Sequence, residues 1–133
     1  MGFGMATTVW RATQLHTGRK VAVKVVRKDR MADGEGDSIR TEVEVMRKVG
    51  ENQPFLCHLV RDFQDDKAHY LVMELADTDL QSLAQSCTLP PILVHSFACQ
   101  MLLGIEYLHF VEIVYRDMKP GNVLVRLDGR ARV

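Results

Sequence analysis

The stretch YRDMKPGN, Tyr115 to Asn122, sets three different chemical capacities at fixed offsets. Asp117 can accept the proton of a hydroxyl nucleophile, Lys119 can neutralise charge on a phosphoryl group in transfer, and Asn122 can offer its amide oxygen to Mg2+. Taken alone, Asp117 can equally be a turn former ahead of Pro120 and Gly121. Upstream, VAVK places Lys24 in an otherwise apolar run. Such a lysine either lays its stem on apolar surface with the amine in water, or sits half-buried and needs a carboxylate to offset its desolvation. Glu42, on the edge of a helical stripe, is a candidate for that carboxylate, or a plain solvated charge. At the start, Gly2 and Gly4 would let a backbone pass close over phosphates and donate its amides to them. A GxG pair is by itself more often a turn, and a dinucleotide fingerprint fits worse, because its third glycine is missing and the next segment reads as strand.

These residues need elements to position them. Val9 to Gln14 and Arg19 to Val26 are rich in Val, Thr and Trp and flank LHTG, which predicts a hairpin with Gly18 at positive φ. KDRMADGEGDS reads as a loop, with Asp37 or Ser38 capping the helix that follows. In that helix Ile39, Val43, Met46 and Val49 recur at helical spacing, the stripe of a half-buried helix. FLCHLVRDF and HYLVMEL flank QDDKA as a second hairpin, and a short helix is expected near Asp79 to Gln85. Pro90 and Pro91 suit the first turn of a long helix running to about His109, and VLVRL, DG and ARV predict two short strands joined by a tight turn. The order of strands, helix, strands, helices predicts an α+β arrangement in two layers or lobes. The long helix is apolar on more than one side, so it is expected in the middle of a larger domain of which this chain is a part.

Composition narrows the class. At 133 residues, with 47% hydrophobic and 26% charged, the chain is long and apolar enough to bury a core. Seventeen basic against seventeen acidic side chains leave no net charge, so the overall balance points to neither nucleic acid nor an anionic membrane, and any anion site must be local. Cys57, Cys87 and Cys99 have no CxxC spacing and sit in apolar stretches, which predicts reduced core residues in an intracellular, cytoplasmic or nuclear protein. No basic segment followed by an apolar run opens the sequence, and His95, Gln100, Gly104, Glu106 and His109 interrupt Ile92 to Phe110, which argues against a membrane span.

In this order the pieces resemble the front half of a eukaryotic protein kinase domain: GxG with Val9 downstream, VAVK, a helical Glu42, an apolar strand entering MELADTDL, and YRDMKPGN. The resemblance covers the whole chain. It implies a two-lobed fold, with a small β-rich lobe carrying one helix and the start of the hinge over 1–75, and the rest of the hinge with the first part of a mostly helical lobe over 76–133. It implies ATP and Mg2+ as cofactors. Gly2 and Gly4 would cover the ATP phosphates, while Val9, Ala22 and Leu124 would enclose the adenine. Lys24, held by Glu42, would hold the α and β phosphates. Met73 would be the gatekeeper, the backbone of Glu74 and Ala76 would bond the adenine edge, and Asp79 would reach the ribose. Asp117 would be the catalytic base, with Lys119 on the γ-phosphate and Asn122 on the metal.

Lys119, two residues after Asp117, is similar to serine/threonine kinases, which implies a protein substrate with Ser or Thr hydroxyls. Tyr115 and QPFL resemble the cyclic-nucleotide-dependent group, whereas LADTDL resembles cyclin-dependent and mitogen-activated kinases. Regulatory subunits are not indicated either way. KPGN is also reminiscent of aminoglycoside or choline phosphotransferases, although those usually carry histidine where Lys119 stands, and a non-catalytic pseudokinase or nucleotide-binding scaffold is the remaining alternative. The chain departs from the kinase pattern at Ala6 and Thr7, in place of the lid's aromatic residue and third glycine. VLVRLDGRARV resembles the strands that lead into an Asp-Phe-Gly segment, which the sequence does not contain, so no useful catalysis is expected of these 133 residues alone.

Overall fold

The computed structural model describes residues 7–31, 34–49 and 53–133. They form two compact units, one of Met1–Gly50 with His58–Leu75 and the other of Glu51–Cys57 with Ala76–Val133.

In the first unit, β1 (Thr7–Thr13), β2 (Lys20–Arg27), β3 (Leu59–Gln64) and β4 (Ala68–Glu74) make an antiparallel sheet in the order β1-β2-β4-β3. Both predicted hairpins are present. Gly18 closes the first with φ +68°, donating its N–H to Gln14 O. Asp65 closes the second by accepting the N–H groups of Lys67 and Ala68, and the Tyr70 hydroxyl also donates to it. These backbone bonds, then the Tyr70 bond, hold the Asp65 carboxyl below the usual carboxylate range. Helix α1 (Glu35–Val49) lays Ile39 and Val43 on Val26 and Leu71, with Met31, Met46 and Leu59 packed around them. Burying such side chains contributes about 1.5–3 kcal/mol each before chain entropy is counted.

The helix begins earlier than its sequence suggests. Gly34 O already accepts the N–H of Ser38, so Asp37 and Ser38 lie inside the first turn and do not cap it. There Asp37 still favours the helix, because a negative charge complements the unpaired N–H groups of a helix start.

In the second unit, α2 (Leu80–Ser86) and α3 (Pro91–Phe110) accompany a small sheet of β5 (Thr78–Asp79), β6 (Leu124–Val125) and β7 (Ala131–Arg132) in that order. Phe97 of α3 meets Val123, Val125 and Ala131 in a core bordered by Leu80, Leu83 and Met101. Segment 53–57, which the sequence reading left within 1–75, joins this unit through β7. Val133 N–H donates to Phe55 O, and Cys57 N–H donates to Val133 O. At Gly104 α3 runs so close to this segment that an added Cβ would lie 3.0 Å from Phe55 O and 3.3 Å from a Leu56 methyl. The Phe55 carbonyl is tied to Val133 and cannot easily retreat. Gly104→Ala should therefore destabilise by about 1–2 kcal/mol, the overpacking cost exceeding the gain in helix propensity; a thermal midpoint equal to or above that of the parent would contradict this.

One expectation is corrected. All three cysteines are free, but only Cys57 is half-buried, while Cys87 and Cys99 are exposed. Phe97, Gly104 and Leu108 define the inward face of α3, and Cys99 falls on the other side. By length and composition alone helix α3 also meets the measure of a membrane span, a test that the core helix of a soluble protein passes as well. Ile92, Val94, Leu102, Leu103 and Phe110 are exposed on it.

Candidate functional site

The candidate residues fall into two sets, one in each unit. In the first unit, strand register puts Val9 opposite Lys24 and Ala22 opposite Met73, and Lys24 is also opposite Leu71. Because side chains alternate across a strand, Val9, Ala22, Lys24 and Met73 share one face of the sheet. That is the face that α1 covers through Leu71 and Val26. Lys24 Nζ donates to both Glu42 carboxylate oxygens at 2.7 Å, with side chains 24% and 38% exposed. The ammonium is thus held half-buried by a fork on α1, the second of the two readings open for these residues. Ala22 is buried, and Val9 is 61% exposed at the open edge strand.

Glu74 behaves differently from its sequence reading, which concerned its backbone. The residue is 8% exposed with its side chain turned inward, where Oε1 accepts the N–H of His58 at 3.1 Å while the Glu74 N–H donates to His58 O. The end of β4 is thereby bolted to the start of β3. Gly2 and Gly4 lie outside the described residues.

In the second unit, Asp117 gathers its neighbours. Its Oδ2 accepts Lys119 Nζ at 2.7 Å and Asn122 Nδ2 at 2.9 Å, and Asn122 Nδ2 also reaches Asp117 O at 2.9 Å. The bond from Lys119, then that from Asn122, hold the Asp117 carboxyl below the usual carboxylate range, with burial opposing weakly. A three-residue turn aims the carboxylate, since Asp117 N–H donates to Tyr115 O and Arg116 between them takes φ +61°. Such turns are strained for a side-chain-bearing residue and persist where the surroundings demand them. Asn122 closes a single 3-10 turn, Pro120–Asn122, and the next residue, Val123, is 0% exposed in the core under the loop. Leu124 pairs with Asp79 across β6 and β5. Asp79 caps α2, its two oxygens accepting the N–H and the hydroxyl of Ser82, and the hydroxyl bond leads in lowering its carboxyl below the usual range. A ribose contact would have to share oxygens already in use. Ala76 is half-buried just before β5.

As a donor set, Asn122 spends its amide N–H on Asp117, which turns its oxygen away for a hard cation. Among the described residues no group of three or more His, Cys, Asp or Glu is gathered as a metal site. A lone amide oxygen of this kind fits Mg2+, which is bound through one or two protein oxygens together with phosphates and water.

The sequence model of the protein kinase domain matches residues 1–133. The chain belongs to the protein kinase domain family. Among curated relatives, it is 37% identical over 134 residues to a serine/threonine-protein kinase of Arabidopsis thaliana, covering 97% of this chain and 23% of that protein. It is 33% identical over 136 residues to protein kinase C-like 1 of Candida albicans, covering 100% of this chain and 12% of that one. Against cyclin-dependent kinase D-1 of Arabidopsis thaliana the identity is 27%, over 100% of this chain and 33% of that protein. The chain therefore spans a third or less of the curated relatives named here. Likeness to both a protein kinase C-like enzyme and a cyclin-dependent kinase leaves the subfamily as open as Tyr115 and LADTDL left it. The resemblance to protein kinases and the two-lobed α+β fold class that it implies are borne out by this match.

Sequence reasoning overlooked two residues. His58 completes the bolt on Glu74, and nothing in its neighbourhood announces it. Gln100 reads in the sequence as an interruption of α3, although a lone amide amid apolar residues of a packed helix is itself a sign of buried backbone to be satisfied.

Proposed function

We propose that the protein transfers the γ-phosphoryl group of ATP to serine or threonine hydroxyls of protein substrates, with Mg2+ as the metal. The observation that carries this reading is the Asp117 carboxylate, which gathers Lys119 Nζ and Asn122 Nδ2 on one oxygen. Its second oxygen is left to orient an incoming hydroxyl and take its proton. Lys119 then lies beside the group being transferred, and Lys24, fixed by Glu42, presents a set ammonium to the α and β phosphates. In the first unit Val9, Ala22 and Met73 would supply apolar surface for the adenine on the face of Lys24, with the Glu74 backbone at its edge; in the second unit Ala76 and Leu124 are the proposed adenine contacts and Asp79 the ribose contact. Bound Mg2+·ATP supplies the transferable group and offsets its charge, with Asn122 as the protein's amide ligand. An intracellular location belongs to the same proposal, supported by three free cysteines.

Phosphorylation of a serine/threonine peptide pool, set against a panel of small aminated and hydroxylated alcohols, tests the substrate class. A catalytically competent form of the protein should label the peptides in a Mg2+-dependent way. Labelling of the small alcohols alone would replace this reading by a small-molecule kinase. Assayed by themselves, these 133 residues should give no useful turnover, since they do not contain the Asp-Phe-Gly aspartate that holds magnesium in the protein kinase template.

A further inference from the structure

We infer that Gln100 is a positioning residue whose side-chain amide stands in for a missing strand on the open edge of β7, and thereby fixes the loop that carries Asp117 and Asn122. Among the described residues strand β7 pairs with no strand but β6, so the backbone groups on its other edge have to find partners outside the sheet. Gln100 Nε2 donates to Gly129 O at 3.0 Å, and Gln100 Oε1 accepts Ala131 N–H at 2.9 Å. A carbonyl and an N–H two residues apart are the pair that one residue of a parallel strand engages through its own C=O and N–H, and here the two ends of the Gln100 amide take those roles. Because one partner only accepts and the other only donates, the orientation of the amide is determined by the backbone. Ser96 Oγ holds the same amide nitrogen from within α3 at 3.1 Å. Farther along the same edge, Val133 and the Phe55–Cys57 segment exchange bonds in the same way.

From this clamp the path to the chemistry is short. Ala131, Val125 and Val123 pack together on Phe97, and Val123 directly follows Asn122. Shifting the hairpin would shift the residue that must keep both of its bonds to Asp117. The consequence for phosphoryl transfer rests on the function proposed above; the clamp does not.

The test is amide protection at Ala131 together with the side-chain NH2 resonances of Asn122, followed by NMR on the full chain for Gln100→Leu and Gln100→Glu. Leucine fills similar volume without polar atoms. It should lower Ala131 protection about tenfold or more relative to Leu80, whose N–H is bonded to Val123 O on the far side of β6, and move the Asn122 NH2 signals toward those of a free amide. In Gln100→Glu only the protonated acid can donate to Gly129 O. The ionised form would set a carboxylate against Gly129 O with no proton between them, so the introduced carboxyl should titrate above its ordinary range, while Ala131 N–H keeps an acceptor in either form. A residue that merely fills space has no reason to follow such a profile. Unchanged Ala131 protection in Gln100→Leu, or an ordinary titration in Gln100→Glu, would overturn the inference. Failure of the competent protein to phosphorylate peptides would count against the proposed function and leave these readouts unaffected.

Discussion

Asp117→Asn should lower kcat by about 10³-fold or more with little change in KM for ATP, a loss of about 4 kcal/mol of transition-state stabilisation. The substitution keeps the shape and one carbonyl oxygen, so Lys119 and Asn122 retain an acceptor. What disappears is the negative charge and the ability to take the proton of the attacking hydroxyl. The measurement is steady-state peptide phosphorylation by a competent form of the protein. Activity within about threefold of the parent would remove Asp117 from the role of base, given the 10²-fold minimum expected of general base catalysis. The pH profile carries a second check. The folded carboxyl titrates below the ordinary carboxylate value, so its ionisation supports both activity and stability above the unfolded value, and that support is lost only as pH falls through the lowered folded value. An acid limb lying above the ordinary carboxylate range would point to a different group.

How legible all this was in the sequence depends on the distance over which each interaction acts. The hairpins closed by Gly18 and Asp65 involve residues a few positions apart, and turn chemistry with β-branched flanks announces them. The stripe Ile39, Val43, Met46 and Val49 is likewise local, and its period predicts a half-buried face, whereas the partners Val26 and Leu71 under Ile39 and Val43 come from the strand order. The start of α1 was misplaced because Asp and Ser are good caps only when the chain enters the helix at them, and here Gly34 already accepts the first helical bond. The exposure of Cys99 is a matter of helix rotation, which a helix apolar on several faces does not reveal. Glu74 and Gln100 show the remaining limit. Their side chains satisfy backbone groups 16 and about 30 residues away, and the need arises only once the strands bring those groups to an edge. The types and offsets of Lys24, Glu42, Asp117, Lys119 and Asn122 were readable in advance, but the bonds that make Lys24 a fixed cation and Asp117 a gathered carboxylate belong to the structure.

Lys24→Met should cost about 10²-fold or more in kcat/KM for ATP while leaving the fold nearly as stable, the size expected when one fixed charge at transferring phosphates is removed. The two effects separate because of where the pair lies. With 24% and 38% of the side chains exposed, water reaches both partners, so the pair contributes no more than about 1 kcal/mol to stability after screening. Methionine keeps the apolar stem in place beside Val9 and Leu71, and Glu42 can turn toward solvent. Glu42→Gln should be the milder change, since one carbonyl oxygen still accepts from Lys24 but the fork is lost, and about a tenfold loss is expected. If Glu42 acts only by holding Lys24, the double variant should be no worse than Lys24→Met alone, and a double-mutant cycle on kcat/KM reads this directly. Additive losses would mean that Glu42 acts on the nucleotide by a separate route. A large drop in thermal midpoint for Lys24→Met, with activity per folded molecule unchanged, would mean that the pair is a support of the fold and not part of the nucleotide site.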